Sequence, residues 1–290
     1  MERFWSEVIH SLRPEYGLDL LLEIKGMARS TFYYHLKRFG NTSKYDKEKK
    51  RIQEIFQESK GRYGYRRITL QLRHDGYAIN HKTVEKLMQE LDIKCLIPKK
   101  RYRSYKGTVG KIAPNILNRD FKVACPCRKL ATDVTQISIG QQKSFLSPII
   151  DMFNGEILSY NIADRADLEQ INKMMNDLFA ITDKLPKENE IILHSDQGWQ
   201  YQHKDYQNAL TEHGILQSMS RKGNCLDNSV MENFFGLMKS ELLYNKEFKS
   251  MQEFKKELVV YIDWYNNDRI KMRLNGMSPV QYRAHYLENL

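Results

Sequence analysis

At 290 residues, with 41% hydrophobic and 28% charged side chains, the chain has material for one large domain or two smaller ones with a sizeable core. No apolar stretch approaches the roughly 18 residues of a membrane span, and the opening MERFWSEVIHSL lacks the basic-then-apolar order of a signal peptide, so a cytoplasmic protein is expected. The formal net charge is +10, but residues 1–120 hold 26 Lys and Arg against 14 Asp and Glu, whereas residues 121–290 hold 20 against 22. A basic half joined to a slightly acidic half points to a polyanion, nucleic acid first, bound by the N-terminal half.

In chain order, YGLDLLLEIKGMARSTFYYHLKRF (16–39) gives a helical stripe at Leu18, Leu21 and Leu22 and a turn at Lys25-Gly26. Ser30 is the expected N-cap of a second helix carrying Phe32, Tyr33 and Leu36. Helix, glycine turn and capped helix outline a helix-turn-helix-like segment, although helix pairs without DNA share that outline. KYDKEKKRIQEIFQES follows as an amphipathic helix with Ile52, Ile55 and Phe56 on one face. GRYGYRRITLQLRHDGYAINHKTVEKLMQELDI reads as helix, turn at Asp75-Gly76, and helix from about Asn80 with Val84, Leu87, Met88 and Leu91 inward. Its exposed side is expected to show Arg62, Arg66, Arg67, Lys82 and Lys86. The tract PKKRYRSYKGTVGK (98–111) then offers Lys99, Lys100, Arg101 and Arg103 to phosphates, with Tyr102 and Tyr105 for stacking; a solvated linker would have the same composition.

Beyond a proline-bracketed boundary near 113–130 the period becomes strand-like. KLATDVTQISI, KSFLSPIIDMF and EILSYNIAD read as three strands, with Asn154-Gly155 as the hairpin signal. A helix (167–185), the buried strand EIILHSD (190–196), a helix (203–213), the strand ILQSMS (215–220) and a helix from about Ser229 to Leu243 complete the series. This is a mixed α/β sheet in the order of a ribonuclease H-like core, behind an N-terminal all-α region. The late helix FKKELVVYIDWYNND has a stripe at Leu258, Tyr261, Ile262 and Tyr265 for packing on the core or on a partner subunit. The expected divisions are residues 1–42, 43–112, 113–250 and 251–290.

The four cysteines (Cys95, Cys125, Cys127 and Cys225) form no Cys-x-x-Cys pair and the eight histidines no His-x(3–5)-His set, which argues against structural zinc and a disulfide framework. Three carboxylates stand out instead. Asp133 sits within a strand-like run, where charge is disfavoured; Asp196 ends a buried strand; Glu232 lies in a helix beside Met231, Phe234 and Phe235. Taken singly they read as a bulge cap, an Asx-turn and an exposed glutamate. Taken together they form a candidate site, because first and fourth strands are often neighbours and a helix can cross their tips. Clustered carboxylates repel one another, and magnesium or manganese removes that conflict. Two such ions can activate a hydroxyl and stabilise the leaving oxygen at phosphorus. Lys239, at i+7 from Glu232, shares its helix face and can hold a phosphate.

The runs KGRYGYRRIT, INHKTVEKLM, ATDVT, LHSDQGWQY, SMSRKGNCLDNSVMENFFGLMKSE and YNNDRIKMRLNGMSP resemble the bacterial insertion-sequence transposases with a retroviral-integrase-like core, in the group that encodes the core in a second reading frame. The resemblance spans nearly the whole chain. It implies Asp133, Asp196 and Glu232 as a catalytic triad binding two Mg2+ ions, with Mn2+ as a substitute, and Lys239 as a contact to element-end DNA. It further implies cleavage at the terminal inverted repeats, joining of the freed 3′-hydroxyl to target DNA, a homo-oligomer on DNA, and an upstream-frame DNA-binding polypeptide, fused by frameshift or separate. Leu130, where the family has tryptophan, and Lys271, where it has histidine, depart from the pattern. Arg221 and Lys222 are further candidate DNA contacts in a polar loop, and Asp227 and Asn228 the expected caps of the Glu232 helix. His194 is expected to fix the strand tip rather than to act in catalysis, Cys225 to be structural, and Trp199 and Tyr201 to stack on a base or pack in the core. A catalytically inactive DNA-binding regulator and a ribonuclease H-type nuclease are the competing readings.

Overall fold

The computed structural model describes residues 2–37, 45–96, 112–186, 190–221 and 224–289. The chain divides into two compact units, Met1–Glu54 and Ile55–Leu290, with the division falling inside helix α4 (Asp46–Glu58).

In the first unit, α1 (Glu2–Tyr16), α2 (Leu18–Lys25) and α3 (Arg29–Leu36) bury Ile9, Leu22, Met27 and Phe32, with Trp5, Leu18, Leu21 and Leu36 packed around them. Gly26 ends α2 in the left-handed conformation (φ 66°), which a residue without Cβ adopts freely. The expected cap is displaced. Ala28, extended, precedes α3, and its carbonyl accepts the first helical bond from Phe32 N, so Ser30 lies inside the first turn.

The second unit begins with the end of α4, then α5 (Tyr65–His74) and α6 (His81–Glu90). These two bury Ile68, Leu72, Val84, Leu87 and Met88, as their 3.6-residue period predicts. Asn80 caps α6 by accepting from Lys82 N at 2.9 Å.

Six strands follow: β1 (Lys129–Thr132), β2 (Thr135–Ile139), β3 (Gln142–Asp151), β4 (Ile157–Ala163), β5 (Ile191–Ser195) and β6 (Ile215–Met219). They form one sheet in the order β2-β3-β1-β5-β6, with β4 on β3. β1, β5 and β6 run parallel, and the pairings of β3 with β1, β2 and β4 are antiparallel. Alternation along the strands feeds two cores. Leu130, Ile149, Leu193 and Ile215 meet α7 (Leu168–Thr182) and α8 (Lys204–Glu212) on one face. Ala131, Ile137, Leu146 and Ile150 meet α9 (Ser229–Met238) and α10 (Met251–Asn267) on the other. This is the mixed α/β core expected from the sequence. Helix α10 packs on the core through Phe254, Leu258, Tyr261, Ile262 and Tyr265. A closing helix, α11 (Pro279–Glu288), starts with a full capping box between Ser278 and Gln281.

The run read as one strand, KLATDVTQISI, is two. The pairings Thr132↔Ile149 and Thr135↔Leu146 share a register, yet Asp133 and Val134 leave the ladder between them. Continuing that register sets Pro148 opposite Asp133. Proline has no N–H to donate, and the Thr132 hydroxyl, not a backbone group, donates to its carbonyl at 3.0 Å. The central strand therefore stops just where its aspartate stands.

Candidate active site

β1 and β5 pair in parallel with Leu130 opposite Leu193 and Ala131 opposite His194. Two residues further along, each chain leaves the sheet at its C-terminal tip, and the same register sets Asp133 beside Asp196. The carboxyl ends of parallel strands are where open α/β sheets present ligand-binding groups. Each aspartate is tied to its own loop. Asp133 Oδ1 accepts from Val134 N at 2.7 Å, and Asp196 Oδ1 accepts from Gly198 N at 2.8 Å. Gly198 is required here for space: a Cβ would stand 2.9 Å from Asp196 Oδ1.

The electrostatics are those of two acids that resist being ionised together. Burial pushes Asp133 well above the ordinary carboxylate range and the charge of Asp196 adds to this, with Glu232 contributing further; Val134 N–H and Lys239 act in the opposite sense. Burial also raises Asp196, against the pull of the Gly198 N–H, and raises Glu232. Burial lowers the Lys239 ammonium, while Asp133 favours its charged form. The fold thus brings Asp133 and Asp196 together, with Glu232 and Lys239 near enough to act on Asp133. It does not close the three acids into one ligand set: among the described residues, no three His, Cys, Asp or Glu side chains converge on a common ion position. The donor chemistry nevertheless suits a hard divalent cation. The second oxygens of Asp133 and Asp196 and both oxygens of Glu232 have no hydrogen-bond partner among the described residues, and the two aspartates resist being ionised together.

The supporting residues differ from expectation. Asp227 and Asn228 do not cap α9 with their side chains. The buried Asp227 carboxylate instead accepts from Arg221 Nε and Nη2 (2.9 Å each), Arg221 N (3.0 Å), Arg119 Nε (2.8 Å) and Asn115 Nδ2 (3.0 Å). Arg221 foremost, then Arg119, holds its pKa far below the usual carboxylate range. Asn228 Nδ2 donates to Thr132 O at 3.2 Å, joining the entry of α9 to the end of β1, one residue from Asp133. His194 is fully buried between Ser218 Oγ (2.8 Å) and Ser220 Oγ (3.1 Å), and burial lowers its pKa to about 4. It clamps β5 to the end of β6 as a neutral ring. Tyr201 is in the core, whereas Trp199 is 51% exposed.

Of the basic candidates, Arg66 and Lys82 are exposed on α5 and α6. Arg62 is not: it is 5% exposed, donates to Glu241 O at 3.1 Å and lies 4.6 Å over the Trp264 ring. Arg67 is mostly buried, 5.5 Å over Tyr63 and 3.9 Å from Glu241 Oε1. Both were expected on the DNA-facing side; both are held inward, because α10 supplies aromatic rings and Glu241 a carboxylate from distant sequence. Lys222, Lys99, Lys100, Arg101 and Arg103 lie outside the described residues. Sequence reading missed Glu241 and Arg269, whose signal was an acid at Met238 + 3, on the apolar stripe of its own helix. Leu130 is a core residue, and Lys271 is buried with its ammonium on Gly155 O (2.9 Å) and Tyr265 Oη (2.8 Å).

Comparison with known families places these features. Residues 44–101 match the model of an HTH-like domain, and residues 124–225 and 232–287 match two models of an integrase core domain. The chain is 50% identical to the putative transposase InsK for insertion sequence element IS150 of Escherichia coli K12, over 96% of this chain and 97% of that protein. It is 35% identical to the probable transposase for insertion sequence element IS1353 of Shigella flexneri, over 96% of this chain and 54% of that one. The trimeric HTLV-2 integrase catalytic core domain in complex with magnesium aligns at 15% identity and TM-score 0.44, over 56% of this chain and 99% of that one. No helix among the described residues is long and apolar enough to cross a membrane. The chain belongs to the insertion-sequence transposases with an integrase core, a family of polynucleotidyl transferases.

Proposed function

We propose that this chain cuts DNA at the ends of its mobile element and joins the freed 3′-hydroxyls to target DNA, with Asp133, Asp196 and Glu232 as the catalytic carboxylates. The observation that carries this reading is the pair of half-buried, mutually repelling aspartates at the tips of adjacent parallel strands. Such a pair favours a divalent cation over two charges left unopposed. Asp133, Asp196 and Glu232 would hold two Mg2+ ions, or Mn2+, which when bound supply an activated hydroxyl and stabilise the leaving oxygen. Asp133 and Asp196 contribute the carboxylate oxygens left over by their loop hydrogen bonds, and Glu232 contributes both of its own. Lys239, on the same face of α9 as Glu232, holds the phosphate beside them.

The HTH-like helices grip the terminal inverted repeats through Arg66 and Lys82, with Lys99, Lys100, Arg101 and Arg103 neutralising phosphates beyond them and Arg221 and Lys222 meeting DNA at the site. Two ends must be brought together, so the working form is a homo-oligomer on DNA at the nucleoid. An upstream-frame DNA-binding polypeptide, fused by frameshift or separate, works with it.

The test is incubation of the purified protein with element-end duplexes and Mg2+. Specific nicking and joining are expected, both lost in Asp196→Asn with end binding retained. End binding without metal-dependent cleavage in the wild type makes the chain a regulator instead, and cutting of RNA–DNA hybrids without strand transfer makes it a nuclease.

A further inference from the structure

Helix α9 does not end where its α-geometry ends. From Lys239 to Leu243 the backbone widens into a π-turn, with Tyr244 N donating to Lys239 O at 2.8 Å across five residues. Such turns are rare, occur mostly as single turns within α-helices, and are frequent at functional sites. Here the neighbour is a buried charge cluster. Glu241, 1% exposed, accepts from Arg269 Nε (2.9 Å) and Nη2 (2.6 Å) and from the Tyr261 hydroxyl (2.9 Å), with Arg67 Nη1 3.9 Å away. Its backbone carbonyl accepts from Arg62 Nε. Arg62 is itself fixed over the rings of Trp264 and Tyr261. Four elements meet on this one residue: α5 and the segment before it, α10, and the chain just after α10.

We propose that Glu241 is a positioning residue for the transposition chemistry: its buried clamp holds the π-turn that begins at Lys239 and so fixes the direction in which the Lys239 side chain leaves the end of α9. The stripe of α9 shows how this works. Met231, Phe234, Phe235 and Met238 anchor the helix by burial up to the residue before Lys239. Beyond that point, Glu241 and Leu242 are buried together, and the clamp on Glu241 sets the backbone from the far side. Lys239 is therefore held between an apolar anchor upstream and an ionic anchor downstream. A buried, bidentate Arg–carboxylate pair fixes direction as well as distance, which an apolar residue at the same place would not do. The guanidiniums of Arg62 and Arg67 brace this turn from within the protein. Through them the HTH-like helices touch the segment that carries the phosphate-holding lysine.

The proposal rests on the functional reading of Lys239, and its test separates the two. In the first arm, the metal-free, DNA-free protein is treated with an amine-acylating reagent and modification of Lys239 is followed by mass spectrometry, with exposed Lys82 as the internal reference. Glu241→Gln is expected to raise the Lys239-to-Lys82 ratio several-fold, to roughly the reactivity of an exposed lysine. In the second arm, end cleavage falls by about tenfold or more in Glu241→Gln with end binding retained, while the same change in a Lys239→Ala background costs less than about twofold, since both act through one ammonium. Should Glu241→Gln not fold, Tyr261→Phe removes one donor and leaves the Arg269 fork, and the same two readouts move in the same direction by less. Unchanged Lys239 labelling in a folded variant, or equal costs in the presence and absence of Lys239, overturns the proposal. Wild-type protein that never cleaves DNA overturns the functional reading alone, because the labelling arm still reports on Glu241.

Discussion

Gly198→Ala tests the geometry of the aspartate pair with a single methyl group. The backbone at Gly198 (φ −58°, ψ 143°) is one that alanine adopts without strain. On the unfolded side the substitution is therefore stabilising by about 0.4–1 kcal/mol. Against this, the new Cβ would stand 2.6 Å from Gln200 Nε2 and 2.9 Å from Asp196 Oδ1. The glutamine is the end of a flexible side chain and swings aside at little cost. Asp196 Oδ1 is pinned by the Gly198 N–H at 2.8 Å, so relief comes only by lengthening or breaking that bond. A hydrogen bond to a charged group contributes about 1.5–3 kcal/mol. The net is a destabilisation of about 1–2 kcal/mol, or a fall in Tm of roughly 2–8 °C for a unit of this size. The effect on chemistry is larger, because a displacement near 1 Å in a catalytic group costs about 100-fold in rate. Scanning fluorimetry and an end-cleavage assay on the same preparation measure both. A variant that cleaves at the wild-type rate with an unchanged or raised Tm refutes the crowding and the role assigned to this turn.

Asp133→Asn is expected to abolish cleavage yet raise the Tm of the metal-free protein at neutral pH. Asp133 has a folded pKa above its unfolded value of about 3.9, so its contribution is present below that pH and is lost as pH rises through the folded pKa. The stabilisation by Asn should therefore grow from acid to neutral pH and shrink when Mg2+ is added; a gap independent of pH contradicts the assigned repulsion. Arg62→Ala should lower stability by about 2 kcal/mol through lost ring stacking and a lost buried bond, whereas Arg66→Ala should leave Tm alone and lower the salt slope of DNA binding by about 1. Reversed behaviour of the two arginines in melting and salt-titration experiments would return Arg62 to the DNA-facing surface. Asp227 has its folded pKa depressed, so it stabilises above the unfolded value of about 3.9 and the contribution is lost as pH falls through the folded one. Asp227→Asn should consequently melt below wild type at pH 7, with the gap closing in strong acid, and equal melting at pH 7 would rule the clasp out as a support.

What was legible in the sequence is what local periodicity controls. The helices around Val84 and Leu258, the Asn154-Gly155 hairpin and the strand ending at Asp196 all follow from residues close in the chain. The break at Asp133 was not legible, because Pro148 bears on it only through the pairing of β3 with β1. The fates of Arg62, Arg66 and Arg67 were not legible, since all three lie within six residues and share a composition. Their difference is set by Trp264, Tyr261 and Glu241, some 170 to 200 residues away in sequence. Basic residues advertise a polyanion only when nothing inside the protein claims them first.

The same distinction separates the three catalytic candidates. Asp133 and Asp196 each have one oxygen fixed by a backbone N–H at a strand tip, so their spacing is set by the sheet register and their charges stay together whatever is bound. Among the described residues Glu232 has no such tie, and its helix enters without a side-chain cap, joined to the sheet instead by the bond from Asn228 Nδ2 to Thr132 O. Two rigid acids already repel, and a third held equally close would add a further penalty with nothing to offset it. A glutamate, with one more methylene than aspartate and no backbone tether, is the residue type that can stand off from the pair and still reach it. The attraction that would draw it in is the one the proposed cations supply, in the same sense as the Lys239 charge that already favours the ionised form of Asp133.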